Sequence, residues 1–148
     1  FFEPLLGKRF VKVTDQRTRK DWAQAMKELA DYQYPLAKKI VVVMDNLNTH
    51  SPASFYETFE PQEARRLIER FEFHYTPKHG SWLNMAEIEL GVLIRQCLSR
   101  RIPDKSTLEK EVRAWQKDRN AKVIKVDWRF TTADARIKLK HLYPVIHV

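Results

Sequence analysis

Asp45 follows directly on Val41-Val42-Val43-Met44, where an apolar, β-branched run gives way to polar residues. Runs of this kind are buried on both faces in parallel sheets. In open α/β sheets reactive groups gather at the carboxyl ends of such strands, so an acid here stands where a catalytic carboxylate is found. The alternative is that Asp45 opens a turn or caps the next segment. Its neighbours weigh against a plain turn, because Asn46, Asn48, Thr49 and His50 add two amides, a hydroxyl and an imidazole to the same loop.

The second candidate is Glu87, at the end of Tyr75-Thr76-Pro77-Lys78-His79-Gly80-Ser81-Trp82-Leu83-Asn84-Met85-Ala86-Glu87. Asn84 and Glu87 have the spacing of a capping box, in which the glutamate reaches back to a backbone amide at the helix start. Both that role and a ligand role remain open from the residues alone. Glu89, two positions on, points to another helical face and is expected to be solvated.

The elements that must position these groups follow an α/β order. Residues 1–6 and 9–14, separated by Gly7, predict a hairpin, the second run alternating as a half-buried strand does. In residues 17–32, Trp22, Met26 and Leu29 form one stripe of an amphipathic helix that Tyr34-Pro35 ends. A strand over 39–44, short helices over 51–59 and 61–70, and a strand over 71–75 come next, then a loop over 77–83. Asn84 opens a long helix reaching Leu98, with Ala86, Leu90, Leu93, Ile94 and Cys97 as its buried stripe. Ser106 with Glu109, and Thr131 with Asp134, read as capping boxes of two further helices.

A chain of 148 residues with 43% hydrophobic content supports one domain with a real core. The net charge of +8 favours an anionic partner, nucleic acid ahead of an acidic membrane surface. That charge is concentrated: residues 1–99 hold 14 Lys+Arg against 13 Asp+Glu, and residues 100–148 hold 13 against 6. The basic last third binds phosphates without reading sequence, or is a solvated face of paired charges. The single cysteine, Cys97, excludes an internal disulfide and suggests a reducing compartment, and no apolar run nears the roughly 20 residues that span a bilayer. The chain opens Phe-Phe-Glu-Pro and has its first methionine at Met26, so a start inside a longer protein is expected.

Together the stretch 41–50, with its Asp-Asn-x-x-x-His pattern, and the stretch 75–87, with its Leu-Asn-x-x-Glu pattern, resemble the bacterial insertion-sequence transposases of the mariner-like DDE superfamily. The likeness continues through Arg95-Gln96-Cys97, Arg101-Ile102-Pro103 and residues 128–136, so it covers nearly the whole chain. It implies an RNase H-like α/β fold, the core of DDE transposases and integrases, over about residues 1–100, extended by basic helices over 101–148. It implies metal-dependent DNA cleavage and strand transfer in transposition of an insertion sequence. In that family three acids hold two divalent ions, Mg²⁺ or Mn²⁺; Asp45 resembles the second acid and Glu87 the third. Asn46, His50, Lys78, His79, Asn84, Arg100 and Arg101 are the implied DNA contacts, and DNA, both transposon ends and target, is the implied partner. The complete enzyme is expected to be a homodimer in the bacterial cytoplasm, associated with the nucleoid when bound to DNA.

The chain departs from the family pattern in one respect. The first acid belongs to a central strand upstream of the hairpin, and Asp15 and Asp31 are unconvincing substitutes. A partial catalytic domain over 1–148 is therefore expected, lacking the first central strand, inactive alone, and completed by an N-terminal region or another chain. The competing readings are a non-catalytic, sequence-independent DNA-binding remnant, and an RNase H-like nuclease unrelated to transposition.

Overall fold

The computed structural model describes residues 1–77 and 80–140. The hairpin is shorter than its alternation predicts: β1 (Phe2–Glu3) pairs antiparallel with β2 (Lys8–Arg9). One further rung joins Phe1 and Phe10, whose backbone groups bond at 2.8 and 2.9 Å. Beyond it the chain leaves the ladder, and the Val11 amide turns to the Gln116 side chain at 2.6 Å. Gly7 makes the turn with φ +63, and a Cβ there would stand 3.0 Å from the backbone of Val123 and Ile124, so a side chain is excluded twice over.

Helix α1 (Arg19–Glu28) starts at a capping box in which the Asp21 amide donates to Thr18 Oγ1 and the Asp21 carboxylate accepts from the Thr18 amide and hydroxyl. These bonds hold the Asp21 carboxyl below its ordinary value. The helix widens into a π-helical turn, Leu29–Gln33. Its Ala23, Met26, Leu29 and Ala30 form one core with Phe55 of α2 (Ala53–Thr58), Ala64 and Leu67 of α3 (Pro61–Arg70) and Phe71.

Strands β3 (Ile40–Met44) and β4 (Phe71–Tyr75) pair in parallel, Ile40 opposite Phe71 through Met44 opposite Tyr75. Burial on both faces of β3, expected from its β-branched run, is not found. Ile40, Val42 and Met44 face the core, whereas Val41 and Val43 are 62% and 54% exposed. Among the described residues β3 pairs only with β4, so its other edge is open beside β1.

After a 3₁₀ turn (Ser81–Leu83), α4 (Met85–Gln96) runs to Cys97 and packs on α5 (Lys105–Ala121). The buried stripe expected on α4 is rotated: Leu93 and Cys97 are buried, but Leu90 and Ile94 are 51% and 55% exposed, and Glu89 is inside. Leu90 faces the cavity beside β3 that Val41 and Val43 also line. Two apolar faces thus look into one space, which explains why neither is covered. Helix α5 is capped by Asp104, whose carboxylate accepts from the Thr107 amide at 2.8 Å and the Thr107 hydroxyl at 3.0 Å, rather than by the Ser106 and Glu109 pair. The Asp104 carboxylate satisfies both donors at once. Helix α6 (Thr132–Lys138) has the expected Thr131–Asp134 capping box.

Candidate active site

Asp45 leaves the C-terminal end of β3 as the last paired residue, Met44, binds Thr76: the Thr76 amide donates to the Met44 carbonyl at 2.9 Å. The following loop folds back so that His50 Nδ1 lies 2.6 Å from Asp45 Oδ1. The imidazole is stacked on Trp22 of α1, ring centroids 5.7 Å apart at 27°. Tyr75 Oη donates to the His50 carbonyl at 3.2 Å, and Ser54 Oγ to the Thr49 carbonyl at 2.9 Å. Four elements, β3, α1, α2 and β4, therefore fix the loop whose His50 holds one carboxylate oxygen of Asp45, a side chain still 41% exposed. In the sequence Trp22 reads only as part of an amphipathic stripe, and Tyr75 as the end of a strand and the start of the 75–87 stretch; no local signal marks either as a neighbour of the His50 loop.

Glu87 sits in the first turn of α4, where the helix dipole favours an anion. The capping box weighed for it does not form. Asn84 caps the helix by accepting from the Ala86 amide at 3.0 Å, and the Glu87 carboxylate makes no hydrogen bond or ion pair with the described residues. A half-buried carboxylate without partners is costly unless a cation or donor completes it.

Asp45, His50, Asn84 and Glu87 line a single cavity of about 720 Å³ with the open flank of β3 and with Phe1, Phe2, Glu3 and Pro4. Two carboxylates from elements far apart in sequence thus border one space, and their oxygens are the donors that hard divalent cations prefer. Among the described residues no group of three or more His, Cys, Asp or Glu side chains forms a metal cluster. Asp15 is paired with Lys105 at 2.7 Å, and Asp31 with Arg66 at 2.9 Å, both outside the cavity.

The other candidates are placed separately. Asn46 is exposed in the loop after Asp45. Lys78 and His79 lie outside the described residues. Arg100 and Arg101 are exposed beyond the far end of α4, whose last residue, Gln96, is about 14 Å along the axis from Glu87. Arg100 there pairs with Glu111 at 3.0 Å. Glu89, expected in solvent, is buried between Arg9 and Arg119, because the face of α4 that meets the hairpin and α5 carries both arginines opposite it.

Among the described residues no helix is long and apolar enough to cross a membrane. Neither the curated proteins nor the solved structures give a match to this chain. A family model described as DDE superfamily endonuclease matches residues 2–109, which takes in β1 through the start of α5 and both candidate carboxylates. That family is transposase-type, acts on DNA and generally uses divalent metals. With most of its length matched, this chain belongs to the DDE superfamily endonucleases.

Proposed function

We propose that this chain is the greater part of the catalytic core of a cut-and-paste transposase of an insertion sequence, with an RNase H-like fold, and that Asp45 and Glu87 are two of its metal-holding acids. The observation that carries this reading is the shared cavity: Asp45 at a strand end and Glu87 at a helix start, the latter without a partner among the described residues, border the same space. Asp45 and Glu87 would hold Mg²⁺ or Mn²⁺ there, which would supply activation of an attacking oxygen and stabilisation of the leaving one. His50, fixed on Trp22, orients Asp45 and leaves its second oxygen to a cation. The N-terminus of α4 presents backbone N–H groups to a phosphate, and Asn84 orders that turn. Lys78 and His79, between β4 and α4 in sequence, are suited to DNA phosphates.

The cavity between β1 and the open edge of β3 is suited to an extended strand, which would bond to the unpaired backbone of β3 and cover Val41, Val43 and Leu90. We assign that strand to a preceding segment of the protein or to another chain, and to it the third carboxylate. Nicking of supercoiled plasmid in Mg²⁺ or Mn²⁺ tests the reading. The chain 1–148 is expected to be inactive, and the protein carrying the additional strand to nick in a manner that Asp45→Ala and Glu87→Ala each abolish. Nicking by the extended protein that survives either substitution overturns the assignment. Nicking by 1–148 that Asp45→Ala removes overturns the need for the added strand.

A further inference from the structure

Glu89 is two residues beyond Glu87 on α4, and its side chain is 7% exposed. Arg119 Nη2 of α5 donates to its Oε1 at 2.9 Å, and Arg9 Nε lies 2.8 Å from its Oε2, an ion contact rather than an aligned hydrogen bond. Each arginine is itself anchored. Arg9 donates to the carbonyls of Gly7 and Ile124 at 3.1 and 2.5 Å, and Asn120 Nδ2 returns a bond to the Arg9 carbonyl at 2.9 Å. The Arg119 guanidinium lies 5.3 Å from the Trp115 ring centroid. The hairpin, α4 and α5 therefore meet at one carboxylate.

A buried ion triad is a poor source of stability, because desolvation offsets most of the attraction. What it fixes is geometry. Side chains on an α-helix advance about 100° per residue, so positions 87 and 89 project about 200° apart. With Glu89 locked between Arg9 and Arg119, Glu87 is turned to the opposite side of α4, where the cavity shared with Asp45 lies. A slip of α4 by one residue would rotate Glu87 by about 100° out of that cavity. We infer that the Arg9–Glu89–Arg119 triad is the positioning device for Glu87, setting the rotation of α4 so that the two acids reach one cation. This rests on the reading of Asp45 and Glu87 as an ion site.

Mn²⁺ titration of the chain, followed by the electron paramagnetic resonance signal of the free ion, tests it without any need for cleavage. Glu89→Gln, folded by circular dichroism and measured well below its unfolding transition, is expected to bind Mn²⁺ roughly tenfold more weakly than the unaltered chain, the effect typical of groups that orient a ligand. Arg119→Lys, which keeps the charge but shortens the reach, is expected to weaken binding less. Binding that Asp45→Asn and Glu87→Gln remove while Glu89→Gln leaves it within twofold overturns the positioning role alone. An unaltered chain that binds no Mn²⁺ overturns the ion site and this inference with it. Should Glu89→Gln fail to fold, Arg119→Lys is read in its place; unfolding of both shows a purely structural role and also overturns the inference.

Discussion

Removing Glu89 should cost far more than removing the whole triad. In Glu89→Leu, Arg9 and Arg119 stay at 1% and 8% exposure with no carboxylate between them. Breaking a buried ion pair in this way typically costs about 3–5 kcal/mol. The lower end applies here, because Arg9 keeps the carbonyls of Gly7 and Ile124 and the side chain of Asn120 as acceptors. With a urea m-value of about 2 kcal/mol/M, a loss of about 3 kcal/mol lowers the unfolding midpoint by about 1.5 M. Replacing all three groups by apolar side chains of similar volume, with Arg9→Met, Glu89→Leu and Arg119→Met together, should restore most of that loss, since no charge is left buried and unpaired. Urea unfolding followed at 222 nm measures both variants. A single substitution that shifts stability by less than about 0.5 kcal/mol, the range of ordinary surface changes, would refute the reasoning. So would a triple variant no more stable than the single one.

The Glu63 carboxyl, held down at about 2 by hydrogen bonds from Arg66 and Lys27, contributes stability that is complete above the ordinary glutamate value and is lost as pH falls from about 4.5 toward 2; urea unfolding across that window should show a slope that Glu63→Gln reduces, and an unchanged slope would remove this pair from the explanation. The basic last third should bind duplex DNA through its phosphates, so a site neutralising about four of them loses roughly 100-fold in affinity between 50 and 200 mM salt, with little preference between unrelated duplexes; a flat salt profile or clear sequence discrimination would contradict it.

Strand β4 has the bounds its apolar run predicts, and the Thr131–Asp134 cap is as the spacing requires. These are local features, decided by a few consecutive residues. The sequence also puts Asp45 just after a strand and Glu87 in the first turn of a helix, because both features are local. What was not legible depends on distant partners. Which stripe of α4 is buried is decided by the hairpin and α5, so an acid sits inside while Leu90 and Ile94 are exposed. The β-branched run of β3 reads as buried on two faces, yet Val41 and Val43 are exposed, a difference set by neighbouring elements that residues 40–44 do not encode. His50 is visible as a polar loop residue, but its seat on Trp22 joins elements that no periodicity connects.

On the function we propose, Asp45 and Glu87 grasp the same cation. Anomalous scattering from Mn²⁺ in crystals of the chain locates that ion directly. A peak is expected in the cavity bordered by both residues, roughly 2.1–2.2 Å from a carboxylate oxygen of each, as hard divalent ions of this size bind oxygen. A peak on Asp45 and His50 with Glu87 turned to solvent, or Mn²⁺ bound only elsewhere on the chain, would contradict it.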